Sequence, residues 1–375
     1  MDVTINRAEC LDAARRAASV APSESPLDAL KGALLEADAD SGKLTITSTN
    51  LDVALEEKLP CTVREGGSFA FSAKLLAEIL QRLPLETVTI TRPNNCGRAV
   101  FQSECASYTM DVWERGAFPK PELPFPEDTV KLSGVPTMAK HTVFATSQDS
   151  SKPLLKCVNL MFTQNGLKAA GSNGNCIVTA KGDHQSTGDI NLLILATSLD
   201  KLAGICTDAD EFRVGTTGQS IVFLKENFLF SARLMGGSYI DTEMLIRSIQ
   251  NSFTVLTSVQ EMRNALSVVQ SVAPEASKVT LAFGDQAMEF RCEGCYGSAS
   301  APLEVIALTG VPAGEYRFNA RQLNTCLKAM TGTVSLGIAR SGMLTLSTQD
   351  AYYIQNALRP MDLSTKKKRP SEKAA

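Results

Sequence analysis

Few side chains in this chain are of the types that catalyse reactions or hold metals. Its two histidines, His141 and His184, lie far apart, and Cys292-Glu293-Gly294-Cys295 is a CxxC motif without a second cysteine pair. A structural zinc site needs four ligands, and a redox-active dithiol usually begins a helix. This cysteine pair instead follows a strand-like run at a glycine-containing turn. We therefore expect neither a metal nor a redox centre.

Nucleophile and nucleotide motifs are missing as well. The sequence contains no GxSxG, no Walker A loop and no GxGxxG after a strand. Asp38 and Asp40 stand beside Ser41 and Gly42 in a turn-like segment that does not complete an EF-hand loop. We expect no intrinsic catalysis and no cofactor. A small-molecule enzyme that uses Cys292 or Cys295 is the remote alternative.

The bulk composition is that of an ordinary globular protein. Of 375 residues, 44% are hydrophobic and 21% charged, and the formal net charge is −3. This charge argues against a protein that grips nucleic acid by bulk positive charge, but not against a local basic surface. No apolar run reaches the ~18–20 residues of a membrane span, and the N-terminus lacks signal-peptide features, so we expect a cytoplasmic protein with reduced cysteines.

A strand–helix–strand pattern recurs three times, at residues 69–90, 192–214 and 316–338. Phe71, Leu195 and Phe318 are taken as equivalent positions, about a third of the chain apart. Solenoid repeats are only about 20–50 residues long, so this period corresponds to a whole domain. We expect three tandem α+β domains at residues 1–128, 129–252 and 253–375, with antiparallel sheets and two helices per copy. The basic tail at residues 364–375 is expected to be disordered.

The predicted helices have apolar stripes at helical spacing and at least one cation on the opposite face. The predicted buried side chains are Leu75, Leu76, Ile79, Leu80 and Leu83 in residues 72–82, Val259, Met262, Leu266 and Val269 in residues 258–273, and Leu323, Leu327 and Met330 in residues 320–330. A solvated face explains the cations of any single helix. Their recurrence in all three copies favours a common role.

Several stretches resemble one family. They are residues 30–36, 71–76, 117–119, 144–147 and 153–155, and the ending Arg359-Pro360-Met361-Asp362-Leu363. In this order they resemble the bacterial DNA polymerase III beta subunit, the replicative sliding clamp, over residues 1–363. The resemblance implies a head-to-tail homodimeric ring with sheets outside and helices lining a central pore around duplex DNA. It also implies an accessory subunit of the DNA polymerase III holoenzyme, which binds the polymerase alpha subunit, the clamp loader and other clamp-motif proteins.

The resemblance also implies functional positions. The DNA-facing pore residues would be Arg15, Arg16, Lys74, Arg82, Lys140, Lys201, Arg263, Arg321 and Lys328. The partner-peptide cleft would comprise Leu155, Ser172, Gly174, Ile177, Leu245, Pro360, Met361 and Leu363. Tyr108 and Met110 would lie in the dimer interface, opposite residues 270–272 of the other protomer.

Some positions depart from the family pattern around the cleft. Asn173, Asn175 and Cys176 replace the usual Asp, His and Arg, while Ile240 replaces Pro and Met244 and Asp362 replace Arg. These changes predict a pocket that keeps its shape and prefers a different peptide. They are also compatible with the hypothesis that this protein is a diverged paralogue of the main clamp. The alternative function is a clamp-fold scaffold that no longer serves the main replicase.

Overall fold

A computed structural model describes residues 1–93, 96–104, 106–123, 125–164, 166–182, 184–185, 190–272, 278–284, 288–294 and 296–358. The chain divides into two compact units. Unit 1 comprises Met1–Gly171 and Ala180–Ile240, and unit 2 comprises Ser172–Thr179 and Asp241–Ala375.

One or more strands separate successive α-helices along the described chain. The α-helices are α1 (Arg7–Val20), α2 (Ala73–Arg82), α3 (Val135–Thr142), α4 (Ala196–Ile205), α5 (Thr242–Ser248), α6 (Val259–Gln270) and α7 (Ala320–Ala329). The strands of the first third are β1 (Asp2–Asn6), β2 (Gly32–Asp38), β3 (Lys43–Thr49), β4 (Val53–Pro60), β5 (Thr62–Glu65), β6 (Gly67–Ser72), β7 (Thr87–Thr91), β8 (Arg98–Ser103) and β9 (Ala106–Asp111). Those of the second are β10 (Val130–Leu132), β11 (Cys157–Thr163), β12 (Gly166–Ser172), β13 (Cys176–Gly182), β14 (His184–Gln185), β15 (Ile190–Leu195), β16 (Phe212–Thr217), β17 (Ser220–Lys225) and β18 (Phe228–Arg233). Those of the last are β19 (Asn251–Ser258), β20 (Lys278–Phe283), β21 (Met288–Gly294), β22 (Gly297–Leu303), β23 (Ala307–Thr309), β24 (Gly314–Asn319), β25 (Thr333–Ala339), β26 (Leu344–Ser347) and β27 (Ala351–Gln355).

The threefold pattern is present in the structure as β6–α2–β7, β15–α4–β16 and β24–α7–β25. Phe71, Ile194 and Phe318 each lie two residues before the helix and are fully or almost fully buried. The predicted equivalence of Leu195 was therefore wrong by one residue. Successive side chains of a strand point to opposite faces, so this slip replaces a core residue by the half-buried Leu195.

Unit 1 contains a five-stranded sheet in the order β5-β1-β7-β8-β9 and a nine-stranded sheet in the order β14-β10-β16-β17-β18-β4-β3-β2-β6. The strand pairs formed by described residues in these sheets are antiparallel, in agreement with the predicted α+β fold. The pairing of β18 with β4 joins the strands of the first two copies in one sheet. Three further strands of unit 1 lie in the order β15-β11-β12.

The apolar stripe of α2 packs into the core of the first copy. Leu76, Ile79, Leu80 and Leu83 are buried there, as predicted. Leu75 was also predicted to be buried, but 40% of it is exposed. Each residue turns an α-helix by about 100°, so the position before Leu76 lies at the margin of the stripe.

The segment that follows β9 packs against the nine-stranded sheet. Trp113 and Phe118 contact the buried side chains of Leu34 and Ala70. Leu34 faces away from the main core because side chains alternate along β2. Trp113 and Ala70 also exchange backbone hydrogen bonds of 2.9 and 3.0 Å. Residues 113–118 are therefore held against the nine-stranded sheet by side-chain packing and backbone hydrogen bonds.

Unit 2 contains a four-stranded sheet in the order β22-β21-β20-β24 and a run of five strands, β27-β26-β25-β19-β23. The predicted core positions of its helices are confirmed, since Val259, Met262, Leu266, Val269, Leu323, Leu327 and Met330 are all buried. The predicted helix at residues 258–273 ends at Gln270, and Ala273 lies outside the described residues. In the described part of the chain, no helix has the length and hydropathy needed to span a membrane.

Candidate functional surfaces

All nine cations that the sequence predicts for one functional surface lie on α-helices. Lys201, Arg16 and Arg263 are partly buried, whereas the other six are exposed: Arg15, Lys74, Arg82, Lys140, Arg321 and Lys328. His141, the neighbour of Lys140, is 7% exposed, because it lies on the side of α3 that packs into the protein.

Arg16 of α1 is held by a buried carboxylate. Its Nε lies 2.5 Å from Glu57 Oε1, and its Nη2 lies 3.1 Å from Glu57 Oε2. Glu57 is 4% exposed. A buried carboxylate is costly without a partner, and the two-pronged guanidinium contact compensates its charge. The principal contact of Arg16 is thus structural.

Lys201 of α4 is held at the C-terminal end of α1. Its ammonium donates hydrogen bonds to the carbonyl oxygens of Ser19, at 2.5 Å, and Val20, at 3.4 Å. The last carbonyls of a helix lack partners within the helix, and a cation there also interacts favourably with the helix dipole. Burial lowers the pKa of Lys201, although the nearby Asp200 carboxylate opposes this shift.

A shallow groove of about 600 Å³ lies between α6 and α7 in unit 2. Its lining consists of Arg263, Lys328 and neutral polar side chains: Gln260, Asn264, Ser267, Gln270, Ser271 and Asn324. Gln260 donates to Asn264 over 2.8 Å. Amides, hydroxyls and two cations line the groove, and no carboxylate does. Such a lining suits contact with an anionic phosphate backbone, which does not depend on the base sequence.

β9 is an edge strand, and it holds the two residues predicted for the dimer interface. Tyr108 and Met110 are half-buried and pack against the core of the first copy. The Val112 amide donates to the Gly97 carbonyl over 2.9 Å. Hydrogen-bonded and non-hydrogen-bonded pairs alternate along an antiparallel ladder, so the backbone groups of Ser107, Thr109 and Asp111 point away from β8.

β22 is an edge strand of the four-stranded sheet in unit 2. It contains Pro302, opposite Glu289 of β21. Proline has no N–H, so Pro302 fits where that group would point to the free edge, and by alternation Ser298 and Ser300 also present their backbone groups there. The opposite edge strand, β24, is partly covered, since the Leu358 amide donates to the Arg317 carbonyl over 2.7 Å.

The residues of the predicted peptide cleft are distributed over both units. Leu155 lies in unit 1 and is half-buried, whereas Ser172, Gly174, Ile177 and Leu245 lie in unit 2. Ser172 is fully buried, and its hydroxyl donates to the Cys176 carbonyl over 3.0 Å and accepts from the Gly174 amide over 3.1 Å. Pro360, Met361 and Leu363 lie outside the described residues.

Two residues that depart from the family pattern shape the turn after β12. The Asn173 side chain accepts from the amides of Asn175, at 2.9 Å, and Cys176, at 3.0 Å. Cys176 is 2% exposed, and burial raises its pKa to about 11. Its thiol therefore lies in the protein interior, so the position where the family has an Arg offers no polar group to a ligand.

Catalytic and metal-binding groups were not expected. Among the described residues, no group of three or more His, Cys, Asp or Glu side chains could hold a metal ion. Cys292 is buried within β21, and this burial raises the pKa of its thiol. Cys295 lies outside the described residues.

Sequence reasoning missed two of these features. Glu57 was not recognised as the partner of Arg16, because the two residues are distant in sequence and no local pattern connects them. The free edge at β22 was missed too, although a proline next to Leu303 in a run of small residues is a signal of an edge strand.

Comparisons with known proteins are consistent with one family. Residues 1–123 match the family model of the DNA polymerase III beta subunit, N-terminal domain. The beta sliding clamp of Bacillus subtilis is 26% identical over 292 residues, covering 73% of this chain and 75% of that protein. The beta sliding clamp of Synechococcus elongatus is 24% identical over 345 residues, covering 83% and 85%. The crystal structure of the DNA polymerase sliding clamp from Bacillus subtilis has a TM-score of 0.87 at 20% identity, covering 96% of this chain and 99% of that chain. Residues 1–123 therefore match the DNA polymerase III beta subunit, N-terminal domain, and over most of its length the chain is similar to beta sliding clamps in sequence and shares their fold.

Proposed function

We propose that this protein is a DNA sliding clamp, which encircles duplex DNA as a homodimeric ring and tethers the replicative polymerase to it. The observation that carries this proposal is that β9 in unit 1 and β22 in unit 2 are both edge strands with outward-pointing backbone groups. Unpaired strand edges are templates for pairing with another chain. A chain with two different free edges can bind a second copy head to tail.

The residues of the two edges define a pairing register. In an antiparallel arrangement with Thr109 opposite Ser300, Tyr108 lies opposite Ala301 and Met110 lies opposite Ala299. Large side chains of β9 then face small side chains of β22, and residues directly opposite in antiparallel strands share one face of the sheet. On the other face, Thr109 and Ser300 bring two hydroxyls together. Shape and polarity therefore agree in this register.

A contact between two different surfaces generates a closed ring only if the rotation per subunit fits. Three tandem domains per chain, at residues 1–128, 129–252 and 253–375, give six similar sectors in a dimer. In this ring, β9 and β22 of each protomer are both used. The segment at residues 270–272 lies at the end of α6, where Val272 is half-buried and could add apolar contact beside β22.

The DNA contacts of a clamp should be few and weak. Each neutralised phosphate adds salt-dependent affinity, and a protein that must slide gains retention from topology instead. The net charge of −3 and the few exposed helix cations fit this requirement. The clamp has no catalytic step of its own in this proposal. It is an accessory subunit of DNA polymerase III that acts where the DNA is, in the cytoplasm.

The eight cleft residues are proposed to bind short peptide motifs of the polymerase alpha subunit and the clamp loader. Met244, where the family usually has an Arg, is 71% exposed on α5. An exposed methionine favours apolar and adaptable contacts, so the preferred peptide should be less acidic than that of the family. Met244→Arg should then strengthen binding of an acidic clamp-motif peptide and weaken binding of a neutral one.

Retention on circular DNA tests the proposal. The protein is loaded onto nicked circular DNA with a bacterial clamp loader and ATP, and the DNA is then linearised. A ring is retained on the circles and slides off the linear molecules. Equal loss from both forms refutes the clamp. A protein that binds clamp-motif peptides and yet shows this equal loss is the scaffold of the alternative hypothesis.

A further inference from the structure

Several helix cations of unit 1 have structural partners. Besides Arg16 and Lys201, Arg7 of α1 donates to the carbonyls of Leu85, at 2.6 Å, and Leu80, at 3.0 Å. Arg7 thereby caps the last turn of α2, as Lys201 caps α1. These contacts hold α1 against α2 and α4. They also remove cationic side chains from the surface that the clamp proposal directs toward DNA.

Carboxylates dominate the seam between α1 and α4, which borders a cavity of about 430 Å³. Glu9 and Asp12 of α1 line this cavity and are exposed. The cations Arg16, Lys58 and Lys225 line it too, but they form ion pairs with Glu57, Glu56 and Asp210 respectively. Asp12 has a cation nearby, Arg15 Nη1, at 3.8 Å, and Glu9 forms no ion pair with any described residue.

The α6–α7 groove of unit 2 has the opposite character. Among the described residues, Arg263 and Lys328 form no ion pair and no side-chain hydrogen bond, and no carboxylate lines the groove. Their charges are not neutralised by a neighbour. The groove between two helices of the third copy and the seam between helices of the first two copies therefore differ in the sign of their available charge.

We propose that phosphate contact is uneven around the clamp: the α6–α7 groove attracts the DNA backbone through Arg263 and Lys328, whereas the α1–α4 seam repels it through Glu9 and Asp12. This inference rests on the proposed clamp function. At separations below the Debye length of about 8 Å in physiological salt, such surface charges act on the nearest phosphates. Contact on one sector and repulsion on another keep the total number of phosphate contacts small.

Two pairs of exposed substitutions test the proposal in the full-length protein. Binding to a 5′-labelled 30-bp duplex is measured by fluorescence anisotropy over a range of KCl concentrations. Each lost phosphate contact reduces the slope of log K against log[salt] by about 0.9, so Arg263→Gln with Lys328→Gln should reduce it by about 1.8. Glu9→Gln with Asp12→Asn should instead increase affinity several-fold at low salt.

The proposal is overturned if the Arg263/Lys328 variant keeps the wild-type slope, or if the Glu9/Asp12 variant binds no more tightly than wild type. Circular dichroism checks that both variants remain folded, and Lys74→Gln with Lys328→Gln serves as a second variant should the first misfold. Its slope should fall by at least 0.9, the contribution of Lys328 alone. Failure of the clamp function itself is recognised separately, by loss of the wild-type protein from circular DNA.

Discussion

A proline at position 109 should open the ring without unfolding the chain. The Thr109 amide points away from β8, so Thr109→Pro removes no hydrogen bond within the sheet. In the proposed register, Thr109 and Ser300 exchange two backbone hydrogen bonds across the interface. Proline removes one donor, and its ring obstructs the second bond. At about 1 kcal/mol net per hydrogen bond, each interface loses about 2 kcal/mol.

A ring has two such interfaces, so the dimer loses about 4 kcal/mol, which corresponds to about a thousandfold in Kd. Sedimentation velocity across a concentration series measures this change. Thr109→Ala is the matched control, because it keeps the amide and should dimerise as wild type does. Pro302 shows that this protein already accommodates a proline at an outward position of an edge strand.

An unchanged dimer in Thr109→Pro would refute the pairing of β9 with β22. Should this variant lose its fold, Ser300→Pro makes the same change on the other edge. It should give a folded monomer if the register is right. A Ser300→Pro dimer as tight as wild type would refute it equally.

Three further predictions concern stability. Arg16→Met should destabilise unit 1 by roughly 3 kcal/mol, because it strands the buried Glu57 carboxylate, and Arg16→Met with Glu57→Met should recover most of that loss in urea unfolding. Hydrogen bonds and charges from Lys120 and Arg115 outweigh burial and lower the pKa of Glu36 below its ordinary 4.5. The ionised Glu36 carboxylate therefore stabilises the fold above pH 4.5, and this stabilisation is lost as the pH falls below that value. Glu36→Gln should thus lower the free energy of unfolding more at pH 7 than at pH 3, with unfolding followed by the fluorescence of the single tryptophan. Gly215→Ala should destabilise by about 1–3 kcal/mol in thermal unfolding, because the new Cβ would lie 2.4 Å from the Asp128 carbonyl oxygen.

Local signals in the sequence predicted the helices at residues 72–82, 258–273 and 320–330. The first two ranges begin at Ser72 and Ser258, and each serine side chain caps its helix, accepting from the amides of Leu75 and Gln260 respectively. Such caps act within three residues, so no tertiary information is needed. The one-residue error at Leu195 arose because the run at residues 192–195 is apolar throughout. In a strand without alternation, the sequence does not indicate which face is buried.

The candidate surfaces depend on contacts that are distant in sequence, and there prediction was weaker. The cations predicted on α1 and α4 do lie on these helices, but the partners of Arg16 and Lys201 lie 41 and more than 180 residues away in the sequence. An interpretation of each helix face by itself treats every exposed cation as free to contact DNA. Only the packed structure distinguishes a cation that is neutralised by a buried carboxylate from one that is not.

The difference between neutralised and unpaired cations also bears on how the tandem copies diverged. A ring of similar sectors requires each copy to keep its sheets and helix positions, and the buried residues Phe71, Ile194 and Phe318 show that the three copies do so at equivalent places. Surface charge is under no such constraint, because a solvent-exposed side chain on a helix contributes little to the fold. The copies can therefore share one architecture and still present different charges to DNA. In the proposed ring, three domains per chain would then supply both the geometry of the ring and the freedom to place attraction in one sector and repulsion in another.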